Sequence, residues 1–225
     1  MGKRNLFALS AVVAGVCSIG AWAMSDDKAA PAAGHKDHPA KDHPAKPADG
    51  QAAGGMPDAA MMEAWNKSMT PGAQHKALEA MAGKFTYTMW YQMDPAQPKQ
   101  ESSGEYSGEM ALGGRYLMVT VNGNMMGMPF EGMGCMGYDN IIGKHVSAWI
   151  DNMGTSLLKA EGSADATGKV ITFDGEMMDP MTNKAMKYKN VYTIKSNDEF
   201  TMQWWAPSPA GEMFESMAIS YTRVK

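Results

Sequence analysis

The sequence predicts an all-β fold, an antiparallel up-and-down barrel of about ten strands preceded by a helical hairpin. Three observations predict it. Beyond Gly83 the chain is a succession of aromatic and β-branched runs separated by turn signals. The links between those runs are short, which implies antiparallel neighbours. No second set of helices is present to cover a parallel sheet.

The chain begins with a different kind of segment. Lys3 and Arg4 precede an apolar run over residues 6–19, and Ala21-Trp22-Ala23 follows. That is a charged n-region, an h-region and an A-x-A cleavage site, so residues 1–23 read as a signal peptide cut after Ala23. The run is too short and too rich in small residues for a transmembrane helix, which needs about 20 strongly apolar residues. Lipidation at Cys17 is the competing reading, but a lipobox requires a small residue before the cysteine and Val16 stands there. The expected location is therefore periplasmic or secreted. Leader removal leaves Cys135 as the single cysteine and excludes an intramolecular disulfide. With no His or cation in Gly132-Met133-Gly134-Cys135-Met136-Gly137 to activate it, that thiol is expected to be buried and inert.

Residues 24–56 form an Ala-, Pro-, Gly-, Lys- and Asp-rich linker in which Lys36-Asp37-His38-Pro39-Ala40 repeats as Lys41-Asp42-His43-Pro44-Ala45. Such a composition buries too little apolar surface to offset its ordering entropy and is expected to be disordered. His35, His38 and His43 are weak candidates for a metal site; Pro39 and Pro44 forbid a helical ligand face, so the histidines also read simply as part of a duplicated tether.

The folded domain is expected over residues 57–225. Met61, Met62, Trp65 and Met69 recur at helical spacing. Thr70-Pro71 reads as an N-cap with proline at the first helical position of a second short helix, which carries Leu78 and Met81 and ends at Gly83. Strands are expected over residues 84–91, 103–111, 115–122, 130–138, 145–152, 156–164, 169–177, 187–195, 199–206 and 213–223. Closure into a barrel disposes of the sheet edges, and a barrel of this size holds one small ligand; a two-sheet sandwich is the structural competitor.

Gly113-Gly114-Arg115-Tyr116, Met125-Met126-Gly127-Met128-Pro129-Phe130-Glu131-Gly132, Gly137-Tyr138-Asp139-Asn140 and Trp149-Ile150-Asp151-Asn152-Met153-Gly154-Thr155 form distinctive blocks. With Thr70-Pro71-Gly72, His75, Asp179-Pro180 and Tyr221-Thr222-Arg223, they resemble the bacterial domain-of-unknown-function 1579 family. The resemblance covers residues 57–225 and implies a secreted, lipocalin-like barrel with no activity attached. One departure is Asn183-Lys184 where the family usually shows Gly-Lys; Asn tolerates the same left-handed turn.

Charged residues in apolar strands lie outside, paired inside, or facing a cavity. Arg115 and Glu131 read either as groups within reach of a common barrel mouth or as structural residues. Asp139-Asn140 and Asp151-Asn152 read either as turn caps or as cavity polar groups. Arg223 is placed to close the barrel end against an indole or backbone carbonyls. Methionine, at 24 of 225 residues, crowds one hairpin at 125, 126, 128, 133 and 136; thioethers select Cu(I), but they also line adaptable apolar pockets. Trp90, Tyr91, Trp149, Trp204 and Trp205 are expected to furnish much of the interior. The expected ligand-contacting set is Arg115, Met128, Glu131, Tyr138, Trp149 and Asp151.

Enzymatic motifs are scarce: no G-x-S-x-G, H-E-x-x-H or Walker loop occurs, and no cofactor is expected. A catalyst hidden in the fold would need His75 or His145 beside a carboxylate at the cavity floor. The net charge is −4, or −6 once Lys3 and Arg4 leave. Without a basic stripe or basic amphipathic helix, neither nucleic acid nor stable membrane insertion after leader cleavage is expected. A small apolar or amphipathic molecule is the expected partner, with metal handling and an uncharacterised barrel enzyme as alternatives.

Overall fold

A computed structural model describes residues 58–180 and 182–225. The signal peptide, the linker and His35, His38 and His43 lie outside the described residues. Two helices, α1 (Ala59–Met69) and α2 (Ala73–Ala77), and a 3-10 turn (Leu78–Met81) lead into ten strands. These are β1 (Gly83–Tyr91), β2 (Gln100–Ala111), β3 (Tyr116–Met125), β4 (Met128–Asp139) and β5 (Lys144–Asp151), then β6 (Leu158–Ala164), β7 (Val170–Asp179), β8 (Lys184–Ile194), β9 (Glu199–Pro207) and β10 (Met213–Arg223). Each strand pairs antiparallel with its sequence neighbour, and β1 pairs with β10, so the sheet closes on itself. The sandwich alternative is thereby excluded.

Period-two burial makes the wall two-sided. In β1, Phe85, Tyr87, Met89 and Tyr91 face inward, while in β9 Phe200, Met202, Trp204 and Ala206 do so. Adjacent aromatics therefore divide: Tyr91 and Trp204 point inside, whereas Trp90 and Trp205 stand on the outer face, Trp90 beneath the Lys99 ammonium 3.1 Å from its ring centre. A bulge between Glu215 and Met217 turns Ser216 inward, and Gln92 N donates to its carbonyl at 2.8 Å.

The end of the barrel from which β1 departs is plugged. Leu78, Met81, Leu117, Ile171 and Phe173 are fully buried there, and Phe85, Tyr106, Phe200 and Tyr221 pack ring on ring, with Phe200 and Tyr221 stacked at 4.1 Å. Tyr106 Oη donates to the Met81 carbonyl at 3.0 Å, tying the 3-10 turn into the plug.

Arg223 locks this end. Its guanidinium donates to the carbonyls of Asn197 (2.6 Å), Ala82 (2.8 Å) and Ala80 (3.1 Å), lies 4.4 Å over the Phe85 ring, and pairs with Asp198 at 3.3 Å. Of the two expected closures it uses backbone carbonyls. Gly83 makes this possible: at φ 122° it turns the chain into β1, and a Cβ there would lie 2.1 Å from Arg223 Nη1.

The helical segment departs from expectation at its joint. Asp58 caps α1, accepting from Met61 N at 2.8 Å, and the second helix starts at Ala73 with Gly72, not Thr70, as its N-cap. Thr70 instead ends α1, so Thr70-Pro71 forms the link and not the cap. Helix α1 buries no residue, and Met61, Met62, Trp65 and Met69 are all exposed. It is held by its C-terminal carbonyls: Asn140 Nδ2 donates to those of Lys67, Ser68 and Thr70, and Arg115 Nη2 to that of Met69. Two turns of the barrel thus supply the donors that a helix end lacks internally. Asn183 adopts φ 52°, the left-handed turn anticipated for it.

Replacing Arg223 with Ala is expected to lower unfolding free energy by about 2–3 kcal/mol, since several carbonyls lose a charged donor. Arg223→Lys is expected to recover only part of it, because an ammonium lacks the planar fork. Urea denaturation of the three proteins checks both.

Candidate functional site

Above the plug the barrel is hollow. A cavity of about 160 Å³ opens toward the end where Gln92, Met93, Pro207 and Phe214 stand. Its wall is apolar and aromatic, built from Tyr87, Met89, Phe130, Met136, Met177 and Met202 together with Trp149, Tyr188, Tyr192 and Trp204. Both Tyr188 and Tyr192 have their phenol pKa pushed up by burial, Tyr188 to about 12, so they present neutral hydroxyls.

Glycine explains how so many rings fit without filling the space. Trp149 on β5 lies across Gly132 and Gly134 of β4; a Cβ on Gly132 would meet its six-membered ring at 2.2 Å, and one on Gly134 at 2.7 Å. Tyr188 on β8 covers Gly175 of β7 in the same way, again at 2.2 Å. A ring over a cross-strand glycine lies flat on the wall and leaves the lumen open. Tyr188 then stacks on Trp204, with ring centres 4.4 Å apart and planes at 10°.

Trp149 is also fixed at its polar edge. Its Nε1 donates to Asp151 Oδ2 at 2.8 Å, and Met153 N donates to Asp151 Oδ1 at 3.0 Å. Asp151 is 5% exposed and lines the cavity. Burial pushes its carboxyl pKa up, against the opposing effect of the two hydrogen bonds. So Asp151 is both a turn cap and a cavity group. Two further polar atoms inside the barrel, Asn190 Oδ1 and Trp204 Nε1, are buried without a hydrogen-bond partner. They stand on register-paired residues of β8 and β9 and both residues line the cavity.

Of the residues expected from sequence, Trp149 and Asp151 line this cavity and Arg115, Met128, Glu131 and Tyr138 do not. The reading in which Arg115 and Glu131 share a mouth is corrected. Arg115 belongs to the plugged end, bonded to the Leu112 and Met69 carbonyls. Glu131 is exposed near the open end, opposite Asn122 and so six residues up β3 from Tyr116, about 20 Å away at the rise of a strand. Met128 shares the parity of the inward Phe130 and Met136 but is exposed because it stands at the hairpin turn, as the first residue of β4 opposite Met125, while Met133 has the opposite parity and faces out. Asp139 is a turn cap, accepting from Ile141 N and Ile142 N. Cys135 is half-buried, more accessible than expected. Asn190, Tyr188 and Ser216 were missed, since nothing in their local pattern marks them until strand parity turns them inward.

Tyr138 belongs to a second cluster, between α2 and the wall. Its ring meets His75 edge-on at 5.9 Å and His145 at 5.1 Å. His75 Nδ1 accepts from Gly72 N at 3.0 Å, capping α2, and His145 Nε2 lies 3.3 Å from Gln74 Oε1. Burial lowers the pKa of both imidazoles; the Tyr138 and Gly137 carbonyls oppose this, and Arg115 and His75 respectively add to it. Neither histidine lines the cavity, and the side chain hydrogen-bonded to His145 is Gln74 and not a carboxylate. Among the described residues no helix is long and apolar enough to cross a membrane, which says nothing of the barrel itself.

With this geometry in place, comparison supplies a family. The model of the protein-of-unknown-function family DUF1579 matches residues 70–223. The chain belongs to that family. The match begins at Thr70, so α1 lies outside it and everything from α2 to the end of β10 lies within. No curated protein matches the chain in sequence. The crystal structure of Rv2717c from M. tuberculosis superposes with a TM-score of 0.51 at 16% identity, covering 69% of this chain and 100% of its own. That likeness is one of barrel fold. A redesigned β-barrel is also found, at a TM-score of 0.36 and 16% identity over 66% of this chain and 96% of its own.

Two outcomes follow. Gly132→Ala is expected to dislodge the Trp149 indole from the wall, lowering stability by about 1–3 kcal/mol as overpacking does and altering the near-UV circular dichroism. For the histidines, the folded state holds pKa values below 6.5, so the unfolded state takes up protons first as pH falls. Stability is therefore full above about pH 6.5 and declines below it, and the decline is expected to be shallower in His145→Gln. Urea midpoints between pH 7.5 and 5 measure this slope.

Proposed function

We propose that this chain is an exported binder of a small apolar or amphipathic molecule, held in the barrel cavity. The observation that carries the reading is the cavity itself: a barrel serving only as a scaffold gains dispersion and hydrophobic stability by filling its interior. Here rings are laid flat over glycines, and two polar atoms of cavity-lining residues, Asn190 Oδ1 and Trp204 Nε1, are buried in the wall without partners. Unmet buried hydrogen-bonding groups cost about 1–3 kcal/mol each. A ligand entering from the open end supplies the missing packing. The leader-like residues 1–23 support a periplasmic or secreted location.

Native mass spectrometry of the protein purified from its own host tests this. The expected result is a non-covalent organic adduct near one per chain, lost on collisional activation. A protein that flies without adduct, and that also leaves the fluorescence of an apolar dye unchanged, overturns the reading.

A further inference from the structure

The cavity has a sign. Among the described residues that line it, Asp151 is the one carboxyl group and there is no Lys, Arg or His. An anionic ligand would meet an unbalanced buried acid, whereas a cation would meet its counter-charge. Asp151 is oriented for that role by Trp149 Nε1 and Met153 N, one bond to each oxygen. A carboxylate oxygen accepts two hydrogen bonds, so each keeps a free position. The walls reinforce the preference, because the faces of Trp149, Tyr188, Tyr192 and Trp204 carry the negative part of the ring quadrupole.

Size narrows the class further. A space of about 160 Å³ is close to the roughly 150 Å³ apolar cavity that takes up one benzene. Resting on the reading of the barrel as a ligand site, we propose that it selects a small protonated organic amine with a body about one ring in size. The ammonium sits against Asp151 and the body against the aromatic wall.

Calorimetric titration of the full chain at pH 7 with 2-phenylethylamine, 2-phenylethanol and 3-phenylpropanoate decides this, since the three share a ring and differ in charge. The amine is expected to bind at least tenfold more tightly than the alcohol, with the carboxylate weakest. Asp151→Asn is expected to bring the amine to within about threefold of the alcohol while leaving the alcohol unchanged, and Asp151→Glu, which retains the charge, to preserve the ranking. Should Asp151→Asn fail to fold, the wild-type ranking and Asp151→Glu still decide. Binding of the alcohol or carboxylate with no margin for the amine leaves the cavity a binding site and overturns its assignment to amines. An amine margin that survives in Asp151→Asn overturns it too. If none of the three binds, the assignment to amines is overturned, while the reading of the barrel as a ligand site stands or falls on the native mass spectrum and the dye.

Discussion

The pairing of β1 with β10, from Phe85 opposite Arg223 to Tyr91 opposite Met217, is the constraint on which the rest of this structure depends. It joins residues far apart in sequence, so its loop-closure entropy is met only when the whole meander is in place. The seam fixes two things at once. It removes the sheet edges, and it brings Arg223 to the Ala80 and Ala82 carbonyls, which sets the 3-10 turn as a plug under the barrel. One end is thereby sealed by rings and backbone bonds, and the interior opens toward the other.

Closure alone would leave a lumen crowded by aromatic side chains. The cross-strand glycines decide otherwise, since Gly132, Gly134 and Gly175 admit the rings of Trp149 and Tyr188 into the plane of the wall. The same flattening aims the Trp149 indole N–H along β5 at Asp151, holding a carboxyl in an apolar space where its charge is disfavoured. Stability is given up there, and at Asn190 and Trp204, and is regained in the plug, where Phe85, Phe200, Tyr106 and Tyr221 interlock. Such a division between a rigid end and an under-satisfied end is the arrangement expected of a site built on a scaffold.

Much of this was legible in the residues because it is local. Alternation in segments such as Phe85–Tyr91 and Glu199–Pro207, with turn chemistry between, specifies strands and antiparallel neighbours, and their number with short links specifies a barrel. The joint between the helices was misread at Thr70-Pro71, where a good capping pair serves instead as the link, because Gly72 and the His75 ring provide the cap in its place. The periodicity of α1 announced a helix but not what it packs on; its tie to the barrel runs through backbone carbonyls, which sequence patterns do not display.

The sequence by itself determined the strand count, the antiparallel order and the family, since these follow from period-two patterning, turn residues and motif blocks read along the chain. Only the tertiary structure decided which polar residues face one another. Arg115 and Glu131 looked alike in sequence, yet strand direction sent one to the plug and the other toward the open end, while parity turned Asp151, Asn190 and Trp204 into the same lumen. The physical reason is that a residue's depth and facing in a barrel depend on the register of every strand between it and the closing seam, and that information is shared across the whole chain.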